Sequence, residues 1–295
     1  MTGDGRPVDR GAVLVTGAST GIGEACALHL DRLGYRVFAG VRRTEDGERL
    51  QREAPRLLPV ILDVTDAALI TAAAARVEAE TGERGLAGLV NNAGIGVVGP
   101  VEFLDLDRYR QQFEVNYFGQ IAVTQAMLPA LRRGRGRIVN MASVAGRVSL
   151  PYFSPYSSSK HALEAMSDSL RMELAPWGMH VAIIEPGVID TPIWGKGVDT
   201  AREVIAAVPE HGAALYADDL AVAIARAEDI GDEGIPPQQV ADAVAHALMS
   251  PRPKTRYIVG SDARVSILAR RFLPDRLVDR LVRRRLGLAS KPARR

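Results

Sequence analysis

A doubly wound α/β fold, with an open parallel sheet in a single domain, is predicted by three features of the 295-residue sequence. Short apolar runs alternate with longer amphipathic segments, as in repeated strand-helix-strand units. The runs are continuous in Val, Ile and Leu rather than alternating with polar residues, as in strands covered on both faces. A glycine-rich turn joins the first run directly to a helical stretch.

The first strand is "AVLVTG" (12–17), and its end overlaps "TGASTGIG" (16–23) before the helical "EACALHLDRLG". Glycines at 17, 21 and 23 allow a sharp turn and a close approach to phosphate, and the following helix presents its positive end there. The spacing differs from the general Gly-x-Gly-x-x-Gly pattern, and an ordinary strand-to-helix turn also uses glycine, so both readings stand at this point. The next strands are "RVFAGV" (36–41), "LLPVILDV" (57–64), "GLVNNAG" (88–94), "RIVNMAS" (137–143), "VAIIEPG" (181–187) and "TRYIVG" (255–260). From about 190 to 237 the rhythm breaks into Gly, Pro, acidic residues and two helical pieces, one of them "DDLAVAIARAED". An insertion after a strand's carboxyl end is placed to cover a ligand crevice, so a mobile substrate lid is expected there. The predicted organisation is a dinucleotide-binding and catalytic domain over 1–262 and a basic amphipathic extension over 263–295.

The net charge of +2 is segregated, because the chain from Arg264 onward holds eleven basic and two acidic residues. The body is therefore acidic, which argues against nucleic acid as a partner. Cys26 is the sole cysteine and reads as a small buried hydrophobe, and the histidines at 29, 161, 180, 211 and 246 are scattered, so no metal site is expected. No apolar run approaches the roughly 20 residues of a membrane span. The amino-terminal stretch lacks the apolar core of a signal peptide, so a cytoplasmic protein is expected, at most peripheral to a membrane.

"YSSSK" sets Tyr156 and Lys160 one helical turn apart on one face. A solvated surface pair is one reading. The other is an acid/base catalyst: a phenol near pKa 10 exchanges protons poorly at neutral pH, and an ammonium beside it lowers that value. "TGASTGIG", "LDV" (62–64), "NNAG" (91–94), "VNYFG" (115–119), "MAS" (141–143), "YSSSK" (156–160) and "EPGVIDT" (185–191), in this order, resemble the short-chain dehydrogenase/reductase family over residues 11 to about 260. The ending after "RPKTRYIVG", together with "GYRVFAGVRR", looks more like its retinol and hydroxysteroid dehydrogenase branch.

The resemblance implies a Rossmann-type fold and a catalytic set of Asn116, Ser143, Tyr156 and Lys160. Ser143 would hold the substrate oxygen, Tyr156 would exchange the proton, and Asn116 would hold a water linking Lys160 to solvent. It also implies a nicotinamide cofactor on Gly17, Ser19, Gly21, Ile22 and Gly23, with Asp63 and Val64 beside the adenine and Asn91, Ala93 and Gly94 under the nucleoside. Ile189 and Thr191 would clamp the carboxamide, and Tyr156 and Lys160 would also touch the cofactor. Val41 stands where an acid would grip the ribose of NAD, and Arg42 follows, so NADP(H) is favoured over NAD(H).

The branch implies a bulky apolar alcohol or ketone, for which "LPYFSP" (150–155), Trp194 and the lid could form a pocket. A homo-oligomer, dimer or tetramer, is expected. In the extension, Leu277, Val278, Leu281 and Val282 form a stripe beside Arg276, Arg280 and Arg283 to Arg285, suited to packing on the body or a subunit, or to an anionic membrane surface. The closing "SKPARR" is expected to fray. Two other functions compete: a soluble reductase of acyl or polyketide-type ketones, and a non-catalytic NADP sensor, which would not need the four catalytic-type residues together.

Overall fold

The computed structural model describes residues 9–232 and 234–288, so "SKPARR" lies outside the described residues. Four consecutive buried residues make β1 (Ala12–Val15). The chain then alternates through α1 (Gly21–Arg32), β2 (Arg36–Val41), α2 (Thr44–Glu53), β3 (Leu58–Ile61), α3 (Ala67–Thr81) and β4 (Leu86–Asn91). A second half adds α4 (Leu106–Phe113), α5 (Gly119–Gly134), β5 (Arg137–Met141), α6 (Ser154–Leu174) and β6 (Val181–Pro186). It continues through α7 (Ile193–Ala207), α8 (Glu210–Asp232), α9 (Gln238–Met249), β7 (Arg256–Val259), α10 (Ser261–Phe272) and α11 (Asp275–Arg285).

Every strand pairing is parallel, in the order β3-β2-β1-β4-β5-β6-β7. This is a single-domain, Rossmann-type doubly wound fold. The chain winds outward from β1 to β3 and then crosses back to β4, so the strand order reverses between β1 and β4 and a crevice opens at their carboxyl ends.

One face of the sheet is covered by α1 and α9, with Cys26, Leu30, Val240 and Val244 in its core. The other is covered by α3 and α5, with Ile70, Val77, Val123 and Met127. A fully buried side chain such as Leu30 or Met127 contributes about 1.5–3 kcal/mol. Burial pushes the Cys26 thiol up to about 12, which leaves it inert as a nucleophile.

The third strand is shorter than "LLPVILDV" suggests. Leu62 still donates to the Val41 carbonyl at 2.8 Å, but Asp63 then accepts from both the backbone and the hydroxyl of Thr65 and turns the chain. The break in rhythm after β6 is a helical hairpin of α7 and α8. The segments entering and leaving the hairpin are joined by a bridge between Ile189 and Ile235, with Asp190 donating to the Ile235 carbonyl at 3.0 Å and Ile235 to that of Val188 at 3.1 Å. In the extension, Val278 is buried while Leu277 and Leu281 remain partly exposed, so the stripe is divided between packing and solvent. The end of α11 lies against α8, close to Val222. No helix of the described residues is long and apolar enough to cross a membrane.

Candidate active site

At the crevice, the turn after β1 needs its glycines for different reasons. Gly17 and Gly21 have φ of +64° and +59°, the left-handed region that disfavours side chains. Gly23 is helical, but a Cβ there would lie 2.1 Å from the Gly17 carbonyl oxygen. The turn is held from β4. Asn92 Nδ2 donates to the carbonyls of Thr16 at 3.0 Å and Gly17 at 3.1 Å, and Thr16 Oγ1 accepts from the backbone of Asn92 and Ala93. From α2, Arg49 pairs with Glu24 and donates to the Ser19 carbonyl at 2.6 Å. Backbone N–H groups therefore face the crevice at the start of α1, a cradle suited to a pyrophosphate.

The remaining nucleotide-side residues fall into two groups. Arg42 stands exposed at the end of β2, and Asp63 lies near enough to feel its charge. Burial raises the Asp63 carboxyl, but the two bonds from Thr65 and the charge of Arg42 outweigh it and hold the group below its ordinary range. Gly94 faces Asn116 across the crevice, and Thr191 lies against Gly21. By contrast, the side chains of Ile22, Val64 and Ile189 pack into the core. Asn91 does not reach the crevice with its side chain. It is fully buried, donating to Thr124 at 2.8 Å and Asn140 at 2.9 Å, because this position of β4 points into the helix layer. The side chain that holds the turn is that of Asn92, its neighbour in the same motif.

The four catalytic-type residues come from three segments. Pro155 in the first turn of α6 suits the fixed φ of a helix start and sets Tyr156 just inside it. Ser143 follows β5, and its Oγ accepts from the Ala145 backbone at 3.1 Å, which fixes the turn. Lys160 is buried beneath Tyr156, with Nζ 5.7 Å from the ring centroid and donating to the Met141 carbonyl at 2.7 Å. Asn116 occupies a π-helical turn over Glu114–Phe118 that interrupts the helix between α4 and α5. Such turns re-aim side chains at functional positions. Here the amide accepts from the Ile95 backbone at 2.8 Å and donates to its carbonyl at 3.0 Å.

The electrostatics depart from the expectation in one respect. Burial pushes the Tyr156 phenol above its ordinary value, and the Ser143 hydroxyl, within hydrogen-bond reach, pulls it only partly back. The lowering expected from Lys160 is not among the causes of this shift, of which burial is the largest. Burial also lowers the Lys160 ammonium to about 8, against the pull of Glu164. A phenol and a lysine with shifted values, beside a hydroxyl in a cleft, form an arrangement able to hold a carbonyl oxygen and exchange a proton with it.

The family model described as short chain dehydrogenase matches residues 11–201. The chain is a short-chain dehydrogenase. It is 38% identical over 282 residues to retinol dehydrogenase 5 of Mus musculus, covering 92% of this chain and 88% of that one. It is 34% identical over 277 residues to the NADPH-dependent 3-dehydrocapnine reductase of Ornithobacterium rhinotracheale, covering 91% and 94%. A solved short-chain dehydrogenase from Streptomyces avermitilis superposes with a TM-score of 0.76 at 32% identity, covering 96% of this chain and 98% of that one. This short-chain dehydrogenase thus falls in the retinol dehydrogenase-like branch and is an oxidoreductase of alcohol and carbonyl groups.

Proposed function

We propose that this short-chain dehydrogenase is NADP(H)-dependent and interconverts a bulky apolar secondary alcohol and its ketone, or a retinoid-type alcohol and aldehyde, with Tyr156 as general acid/base. The observation that carries the proposal is the meeting of Ser143 and Tyr156 above the buried Lys160, beside the glycine turn. The cradle fits a dinucleotide, because Gly17, Gly21 and Gly23 permit a turn too tight for side chains, a Cβ at each meeting Ala93, Thr191 or the Gly17 carbonyl, and the turn runs straight into the start of α1, where a phosphate is favoured. Gly17, Ser19, Gly21, Ile22 and Gly23 would hold the pyrophosphate, and the backbones of Val64, Asn91 and Ile189 would join Asp63, Ala93, Gly94 and Thr191 along the nucleosides.

A bound nicotinamide supplies the site that accepts or gives up hydride. The protein's part is to orient and to move a proton. Ser143 and Tyr156 hold the substrate oxygen, and Tyr156 delivers its phenolic proton to that oxygen in reduction and recovers it in oxidation. The Lys160 ammonium favours the phenolate formed in reduction, and Asn116 holds the water path by which the lysine exchanges protons with solvent.

NADP(H) is supported by Arg42 at the end of β2, where Val41 stands in place of an acid that would oppose a 2′-phosphate, and by the cofactor named for the 3-dehydrocapnine reductase. An apolar substrate is supported by the aromatic wall under the α7–α8 hairpin. Phe103 meets His211 and Tyr216 edge-on at 5.5 and 5.9 Å, and Tyr152 meets Tyr216 at 6.3 Å. The hairpin, over about 190–237, is the lid of this pocket. Trp194 lies on it, but its side chain is outside the described residues. The same reading has a cytoplasmic homo-oligomer, and the basic face of α10 and α11, with the exposed Leu268 and Phe272, would suit an anionic membrane surface. Turnover with NADPH on free steroid and retinoid carbonyls tests the substrate class. Activity confined to thioester-linked ketones would replace it with the acyl-reductase reading.

A further inference from the structure

The buried face of α6 continues past Tyr156 and Lys160 to Glu164, one turn further on. Glu164 is 6% exposed, and Glu185 on β6 is 1% exposed. Arg256 of β7 brings Nη2 to 3.0 Å from Oε2 of Glu164 and Nε to 3.5 Å from Oε1 of Glu185. It also donates to Asp168 at 2.7 Å, and Asp168 is held in turn by Arg171. Arg147, after the turn that follows β5, donates to the same Oε1 of Glu185 at 3.1 Å.

These arginines satisfy one oxygen of each glutamate. Among the described residues, Oε1 of Glu164 and Oε2 of Glu185 are buried with no hydrogen-bond partner, and the two carboxyl groups lie within hydrogen-bond reach of each other. Two ionised carboxylates so placed repel, and each orphaned oxygen is costly. A single proton between them removes both penalties. Burial and the charge of Glu185 hold the Glu164 carboxyl well above the usual carboxylate range, against the pull of Arg256.

We propose that Glu164 carries a proton and donates it to Glu185, and that this pair acts as a positioning element for Lys160. The proposal rests on the role given to Lys160 above. The shared proton ties α6 to β6 one turn behind the lysine. An ionised carboxylate at that place would draw the ammonium along the helix. A neutral one leaves Nζ on the Met141 carbonyl, beneath the Tyr156 ring. The turn carrying Ser143 seats on the same spot. A Cβ on Gly146 would lie 3.0 Å from the Lys160 carbonyl oxygen and 3.2 Å from Cγ of Glu164.

The charged groups that face Glu164 are Lys160 and Asp168 on its own helix, Glu185 on β6 and Arg256 on β7, with Arg147 and Arg171 behind them. A carboxyl whose value is raised by folding contributes stability at low pH that is lost as pH climbs from the ordinary glutamate range to about 7. Glutamine at 164 can donate its amide to Glu185 and cannot titrate.

The test uses the full chain without cofactor. Infrared spectra of wild type, Glu164→Gln and Glu185→Gln are compared across pH, together with stability to denaturant. Wild type should show the carbonyl stretch of a protonated carboxylic acid at neutral pH, lost in alkali and absent in Glu164→Gln. The decline of stability with pH should flatten in Glu164→Gln. A wild-type protein without that stretch at neutral pH, or an unchanged slope in the variant, overturns the pair. If Glu164→Gln does not fold, the wild-type and Glu185→Gln spectra decide alone.

In turnover, Glu164→Gln should move the alkaline limb down by roughly half a pH unit or more, because above about pH 7 the wild-type carboxyl is ionised and helps to retain the Lys160 proton, which glutamine cannot do. A merely structural role would leave the limb in place, and that result would also overturn the proposal. The spectra need neither cofactor nor substrate, so their outcome is independent of whether the NADP(H) reading holds.

Discussion

In the proposed mechanism Lys160 is the residue on which the proton chemistry turns, and its burial has a measurable consequence. As pH rises through about 8 the ammonium is lost, and with it the support for phenolate. The pH profile of kcat should therefore fall on the alkaline side near that value. A profile flat into the ordinary lysine range contradicts the assignment. Tyr156 and Lys160 were legible in the sequence because a spacing of four fixes two side chains to one helix face. Asn92 was not distinguishable from Asn91, because the motif contains both and only the orientation of β4 decides which side chain turns inward. Glu164 and Arg256 lie 92 residues apart and meet only because the sheet places β7 beside β6.

Among the elements, the turn between β1 and α1 is the least tolerant of change. Gly23→Ala would set a methyl group 2.1 Å from the Gly17 carbonyl oxygen and 2.5 Å from Nδ2 of Asn92. Relieving such overpacking costs about 1–3 kcal/mol and displaces the cradle. Cofactor affinity, read by fluorescence titration, should fall by about fivefold to a hundredfold, by the usual conversion of free energy to affinity. Unchanged affinity would remove the turn from the nucleotide site. The element was readable as a glycine cluster, but its brace was not: Arg49 reaches back 25 residues to Glu24, a pairing set by how α2 packs rather than by local pattern.

The loop before α6 has a comparable feature. Tyr152 has φ of +66°, unusual for an aromatic residue, and its hydroxyl donates to Asp219 on α8 at 2.9 Å. Strain held this way at a cleft is maintained by surrounding contacts. Tyr152→Phe should loosen the proposed lid, raising KM for the carbonyl substrate by about tenfold or more with kcat less affected, the scale of one hydrogen bond to a charged group. An equal KM in the variant would separate the hairpin from substrate binding.

At the scale of the whole molecule, the parallel sheet was legible because strands buried on both faces are written as unbroken Val, Ile and Leu runs. The strand order was not written locally, and it is the reversal between β1 and β4 that brings the turn at 17–23, the strand end at 91–94 and the start of α6 to one crevice. That convergence also sets Arg42 at the rim. Arg42→Ala should weaken NADPH by about tenfold or more, the worth of a charged hydrogen bond, and leave NADH almost unchanged. Equal weakening of both would mean that the guanidinium does not read the 2′-phosphate.

The most direct measurement combines NADPH titration and carbonyl turnover on the same samples of wild type and Tyr156→Phe. If Tyr156 supplies the proton in a preformed dinucleotide site, the variant should bind NADPH nearly as well as wild type and lose about a hundredfold or more in kcat, the scale of general acid catalysis. Substantial turnover by the variant would contradict that assignment, and failure of the wild-type protein to bind either nicotinamide nucleotide would contradict the site itself.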